Sequence, residues 1–163
     1  FIYPLRIKSS VMSELESSLL LCYTKKARVS EKHLKKQSEN FSKKTSDFEN
    51  ALDITKDYTY KMKNFLLKGH LNKFGELLHE CWLMKKKFNK EATNPFIEEL
   101  YSVAFEHGAL GGKLLGAGGG GFLLFFCPVL LRKQIKKALE EAGGKIYDFS
   151  FYDKGVQTWT VRS

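Results

Sequence analysis

The sequence predicts an α+β domain, an antiparallel sheet of about four strands covered on one face by helices. Three observations predict it. Short apolar runs of strand length and long helical stripes occupy different stretches of the chain, so strands and helices are mostly segregated. The stretches do not alternate in the manner of a βαβ fold. The 163 residues suit one domain with one core.

Each element follows from its pattern. Leu19, Leu20, Leu21, Cys22 and Tyr23 form a run that reads as a buried strand. From Val29 the pattern is helical: Ser30 caps, and Leu34, Phe41, Phe48 and Leu52 share one stripe. A second stripe joins Ile54, Tyr58, Met62 and Phe65. A third joins Leu67, Leu71, Phe74, Leu78 and Cys81, with Gly69 and Gly75 as competing boundaries. Asn94 and Pro95 open the next helix as N-cap and first helical residue. Its face is Ile97, Leu100, Tyr101, Ala104 and Phe105, and Gly108 closes it. Residues 122–127 are a buried strand. Pro128 starts a helix with Leu131, Ile135, Ala138 and Leu139 inward, and Gly143-Gly144 stops it. Tyr147, Phe149 and Phe151 alternate with polar residues as a half-buried strand. Asp153, Lys154 and Gly155 turn the chain, and 156–161 returns as the second strand of a hairpin.

Composition narrows the function classes. At 43% hydrophobic and 28% charged residues the chain is neither disordered nor collagenous. Its longest apolar run, 122–127, is far short of the roughly 20 residues a membrane helix needs. The net charge of +9 comes from 23 lysines and only 4 arginines. Base readout favours arginine, so this surface attracts anions without reading nucleic acid. Residues 25–44 carry eight basic and two acidic residues, a positive helix face with no interleaved aromatics. Cys22, Cys81 and Cys127 lie far apart in apolar segments and read as core thiols of a reducing, cytoplasmic compartment. His33, His70, His79 and His107 have no metal-ligand spacing, so no metal site is expected. Trp82 ends an apolar stripe and reads as core. The chain begins with Phe1, and 1–5 read as the end of something already under way, so a fragment is expected.

One segment dominates. Eight of the 13 glycines lie between 108 and 121. A P-loop would need glycine where His107 stands and a hydroxyl residue where Leu114 stands, so that reading fails. A GxGxxG spacing exists at Gly116, Gly118 and Gly121, but a helix precedes it and a strand follows, the reverse of the dinucleotide-binding order. Ordering so many glycines costs entropy. They suit a backbone that takes positive φ or that a ligand approaches closely, and a row of unhindered amides makes an anion-binding concavity. Lys113, embedded in the segment, would offset a phosphate or hold the loop onto a carboxylate.

Residues 108–121, Gly-Ala-Leu-Gly-Gly-Lys-Leu-Leu-Gly-Ala-Gly-Gly-Gly-Gly, resemble motif three of the GHMP kinase superfamily, of the form G-A-x-G-[GA]-K-x-x-G-A-G-x-G-G before an apolar strand. Pro4 to Ile7, Glu14 to Glu16, Leu19 to Leu21, Tyr23-Thr24 with Arg28, Trp82 with Lys85-Lys86, and the helix opening at Asn94 are similar to the D-glycero-D-manno-heptose 7-phosphate kinase group, with L-fucose kinase as a related alternative. The resemblance spans 1–163. It implies the C-terminal, ferredoxin-like domain of such a kinase.

It further implies ATP and Mg2+ as cofactors, bound mainly by an N-terminal domain whose ATP loop is not in these residues. That domain would be the partner, a sugar phosphate the substrate, and no nucleic acid or membrane is expected. The chain alone is then expected to be inactive and to hold no catalytic residue. Gly111, Gly112, Lys113, Gly116, Gly118, Gly119, Gly120 and Gly121 are implied to support the ATP loop or bind phosphate, and Tyr23, Thr24, Arg28, Lys85 and Lys86 to contact substrate. The group usually has glycine after Tyr-Thr, where this chain has Lys25. The reading from another class is a non-catalytic module presenting the glycine loop to an anionic ligand or partner.

Overall fold

A computed structural model describes residues 3–25, 46–116 and 118–161. The elements in chain order are α1 (Ser9–Ser18), β1 (Leu19–Tyr23), α2 (Ser46–Lys68), α3 (Leu71–Phe88), a 3-10 turn (Lys90–Ala92), α4 (Pro95–Glu106), β2 (Gly111–Leu114), β3 (Phe122–Phe126), α5 (Arg132–Glu141) and β4 (Lys145–Tyr147). The four strands form one antiparallel sheet in the order β2-β3-β1-β4. The expected helix beginning at Val29 falls largely on residues outside the described ones.

β1 is apolar throughout because both of its faces are covered. Leu20 and Cys22 join the main core with Leu123, Phe125 and Cys127 of the neighbouring strand and its extension, under Trp82, Ile97, Leu100, Ile135 and Leu139. Leu19 faces the other way, into a smaller cluster with Leu15, Leu71, Leu78 and Phe126. Helices therefore pack on both faces, not one. α1 was not anticipated. It is short and mostly polar, and only Leu15, with Val11 beside the smaller cluster, ties its apolar side to the sheet.

Helix ends follow local chemistry. Asn94 Oδ1 accepts the amide of Ile97 at 3.1 Å, with Pro95 at the first helical position, as expected. The boundary between the second and third stripes is Gly69. There the amides of Gly69 and His70 bond back to Leu66 and Phe65 in a Schellman pattern. Gly143-Gly144 ends α5 the same way, its amides reaching Glu140 and Leu139. Gly75, the other candidate boundary, sits inside α3. It is a contact point: a Cβ on Gly75 would come within 2.5 Å of the Phe126 ring, and one on Gly111 would fall on the carbonyl oxygen of Gly75.

That contact accounts for the largest departure from the sequence reading. Gly111–Leu114 is not loop but edge strand β2, in register with β3 from Gly111↔Phe126 to Leu114↔Leu123. Glycine is a poor strand residue, yet here it lets a helix backbone lie directly on the strand. The C-terminal hairpin is the matching correction. Among the described residues no strand follows Tyr147. The chain after β4 instead crosses to the smaller cluster, where Phe149 packs and the Phe151 amide donates to Glu16 Oε2 at 2.6 Å. Val156 to Val161 stays exposed. The fourth strand is therefore β2, and the expected second hairpin strand does not form.

Trp82 is completely buried, as expected of a core residue. Cys22 and Cys127 are also fully buried, while Cys81 is partly exposed. Burial pushes the thiols of Cys22 and Cys127 up from 9.0 to about 11 and about 12. Both stay protonated in the fold at pH values where the unfolded chain releases the proton. Their contribution is thus fully present below pH 9 and lost as pH rises toward 11 and 12, by at most about 1.4 kcal/mol per pH unit per group.

Two predictions follow from this packing. Gly111→Ala lowers stability by roughly 3 kcal/mol, as overpacking against backbone does, read as a fall in Tm of about 6–12 °C for a chain of this size; an unchanged Tm contradicts the contact. In urea unfolding, stability declines between pH 9 and 11. The decline is shallower when Cys22 and Cys127 are both replaced by alanine, and identical slopes in the two proteins contradict the buried-thiol account.

Candidate glycine-turn anion site

The remaining glycines form the tight turn that joins β2 to β3. Gly116, Gly118, Gly119 and Gly121 have φ of +75, +120, +78 and +107°, the left-handed region that side chains disfavour. A Cβ at Gly118 would lie 2.7 Å from Ala92 Cα, whereas Gly116 and Gly121 face open space. Two of the motif glycines thus serve packing in β2, and the later ones shape the turn.

Four elements hold the turn. From α3, Lys85 Nζ donates to the carbonyls of Leu114 at 3.1 Å and Gly116 at 2.6 Å. From the 3-10 turn, the Ala92 carbonyl accepts the Gly119 amide at 2.9 Å. From the start of α4, Asn94 Nδ2 donates to the Gly119 carbonyl at 3.1 Å while its Oδ1 caps the helix. From the end of β1, Thr24 meets Gly121 three times. Its amide donates to the Gly121 carbonyl at 2.9 Å, its hydroxyl donates to the same oxygen at 3.0 Å, and that hydroxyl accepts the Gly121 amide at 3.0 Å.

This arrangement orients the peptide planes. Across a trans peptide the C=O and the following N–H point in opposite directions. With the Gly119 carbonyl drawn inward to Asn94, the Gly120 amide points away from the protein. Among the described residues nothing accepts from the amides of Gly118 and Gly120. An outward amide beside a lysine is what an anion-binding turn offers.

The other sequence candidates divide. Lys113, on β2, is partly exposed and near enough to Lys85 and Cys81 to influence both, but no carboxylate holds it among the described residues. Tyr23 stands beside the turn, tilted against Phe122 at 5.0 Å and edge-on to Tyr147 at 6.2 Å. Thr24 is 1% exposed, and its hydroxyl is engaged on Gly121, so it supports the turn. Lys86 is engaged within the fold: it pairs with Glu98 at 2.8 Å, which also accepts from Thr93 at 2.5 Å, and it lies over the Trp82 ring at 5.6 Å. Lys85 likewise turns its ammonium onto backbone carbonyls. Arg28 lies outside the described residues. Lys25 adopts φ +56°, a conformation glycine takes without strain, which is the physical meaning of a lysine where the group has glycine.

Behind β2, Tyr101 Oη donates to the Gly112 carbonyl at 3.1 Å. Its single proton being used there, His79 Nδ1 donates to Tyr101 Oη at 2.8 Å. Burial pushes the Tyr101 phenol well above its usual range, so this donor stays protonated. The sequence reading missed Asn94 as a turn ligand, and missed Ala92, Gly75 and Tyr101 altogether as supports. Only Asn94 had a signal, and its capping role was explanation enough for it.

Thr24→Val keeps the shape of the side chain but leaves the Gly121 amide without its acceptor. It costs about 1–3 kcal/mol in urea unfolding, whereas Thr24→Ser stays within about 1 kcal/mol of the parent, the size of an ordinary mutation. Equal losses for the two would show that the hydroxyl is not what holds Gly121.

Comparison with known proteins identifies the family. Residues 62–145 match the family described as GHMP kinases C terminal. The D-glycero-alpha-D-manno-heptose 7-phosphate kinase of Campylobacter jejuni is 33% identical over 161 residues, covering 97% of this chain and 46% of that protein. The crystal structure of a D-glycero-D-manno-heptose 1-phosphate kinase from Bacteroides thetaiotaomicron superposes with a TM-score of 0.67 at 27% identity, over 100% of this chain and 42% of that one. L. major mevalonate kinase shares the fold, with a TM-score of 0.72 at 20% identity, over 79% of this chain and 40% of that one. The chain thus spans less than half the length of these relatives. The glycine turn, the sheet that presents it and the matched residues together place this chain in the GHMP kinase family, as its C-terminal domain.

Proposed function

We propose that this chain forms the C-terminal domain of an ATP-dependent sugar-phosphate kinase that phosphorylates the anomeric hydroxyl of D-glycero-D-manno-heptose 7-phosphate. The observation that carries the reading is the turn between β2 and β3, with carbonyls held by Lys85 and Asn94 and the Gly120 amide left facing out. Phosphoryl transfer depends almost entirely on positioning and on stabilising charge, and fixed backbone dipoles supply both without reorganising during the reaction.

In this reading Gly116, Gly118, Gly119, Gly120 and Gly121 back the phosphates, and the Lys113 ammonium adds positive charge beside them. Gly111 and Gly112 contribute indirectly, by seating β2 under α3. Tyr23 lines the sugar side. ATP and Mg2+ are held mainly by an N-terminal domain, which is also the partner that closes the site. The heptose assignment rests on two relatives whose names differ in which phosphate the sugar carries, 7 in one and 1 in the other. The first is the more identical, and it sets the choice.

The test uses the longer kinase polypeptide. Gly116→Ala and Gly121→Ala add a Cβ into open space at positive φ, so each costs about 1 kcal/mol of stability and leaves the protein folded. Displacing reacting groups by about 1 Å costs roughly 100-fold. A fall in kcat/KM toward that size, with heptose 7-phosphate as acceptor and Tm lowered by only a few degrees, is the expected result. Activity that falls only with the folded fraction makes the turn structural. Turnover of other sugars with none of heptose 7-phosphate overturns the substrate.

A further inference from the structure

We infer that Lys85 is a positioning residue, whose ammonium holds the turn between β2 and β3 in its anion-binding shape. The inference deepens the kinase reading and rests on it for its catalytic consequence. Its geometric part stands on this chain alone.

The geometry is specific. Leu114 is the last residue of β2, and Gly116 lies at the start of the turn, with φ +75°. Their carbonyl oxygens converge on one atom, Lys85 Nζ, at 3.1 and 2.6 Å. Two carbonyl dipoles aimed at one point repel each other unless a cation or a multiple donor sits between them. The intervening residue, Leu115, is kept in the hairpin by its amide, which donates to the Phe122 carbonyl at 2.8 Å. Lys85 therefore fixes the two peptide planes that flank the Leu115-Gly116 pair, where strand becomes turn. Thr24, Asn94 and Ala92 hold only the far half, at Gly119 and Gly121. Without Lys85 the near half has no side chain holding it among the described residues.

The placement is made against electrostatic resistance. Lys85 loses solvation on the inner side of α3, and the Lys113 ammonium on β2 repels it. Together these lower its pKa from 10.5 to about 8. A charge kept where its surroundings oppose it is one the structure uses. An unbranched stem reaching from α3 places that charge at the β2–turn junction without adding bulk to the turn.

The experiment compares the parent chain with Lys85→Met, which keeps the stem, and Lys85→Arg, which keeps the charge. Amide hydrogen exchange at neutral pH is followed residue by residue beside Tm. The expected result is exchange at least about tenfold faster at the Leu115 amide, the hydrogen-bonded amide of the near half of the turn, in Lys85→Met, with α4 and β1 amides unchanged and most of the protection restored in Lys85→Arg. Unchanged turn exchange, or equal acceleration throughout the chain, overturns the inference.

In the longer kinase polypeptide, Lys85→Met lowers kcat at least tenfold with a smaller change in KM for the sugar, and Lys85→Arg recovers part of it. A loosened turn with unaltered kcat overturns the positioning role. If the parent polypeptide transfers no phosphoryl group, the kinase reading fails by itself, and the exchange measurement alone decides whether Lys85 holds the turn.

Discussion

The backbone of α3 lies directly on the backbone of β2, at Gly75 and Gly111, and the rest of the site depends on that contact. No side chain separates them, since a Cβ on Gly111 would occupy the place of the Gly75 carbonyl oxygen. With the helix this close, its last turns reach the end of β2, and Lys85 meets the carbonyls of Leu114 and Gly116. The same seating buries Trp82 in the main core and carries the chain through the 3-10 turn to Ala92 and Asn94, which take hold of Gly119. A bulkier pair of residues would lift α3 and draw these ligands away together.

The turn is thus a flexible sequence made rigid from outside. Glycines permit its conformation without selecting it, because they also permit many others in the unfolded chain. Selection comes from four neighbours distant in sequence: the end of β1, the end of α3, the 3-10 turn and the cap of α4. Asn94 and Thr24 each use one side chain twice. Asn94 caps α4 and binds the turn. The Thr24 hydroxyl both donates to and accepts from Gly121. Such double use couples the position of the turn to the integrity of the main core.

The charge distribution separates structural from available cations. Lys85 is engaged on carbonyls and Lys86 on Glu98. The Lys113 ammonium, also near the turn, has neither carbonyl nor carboxylate partner among the described residues. The net positive charge of the chain is compatible with an anionic substrate, but it does not place one. The place proposed for one is the turn, with the aromatic group of Tyr23, Phe122 and Tyr147 beside it.

Much of this was legible in the residues alone. The α+β class, β1, β3, α4 with its Asn94-Pro95 start, and the glycine signature are local patterns, set by side-chain periodicity and capping chemistry within a few residues. The family followed because its motif is contiguous. Tertiary structure decided the rest. It made Gly111–Leu114 a strand, because a glycine-rich stretch becomes a strand only when β3 offers its edge and a helix lies close above. It left Val156 to Val161 outside the sheet, since a strand pattern needs a partner that periodicity does not supply. It turned Lys85 and Lys86 inward, where sequence shows only a basic run. Residues separated by some 30 positions meet in these contacts, and no local pattern encodes which atoms a folded chain will bring within hydrogen-bond reach.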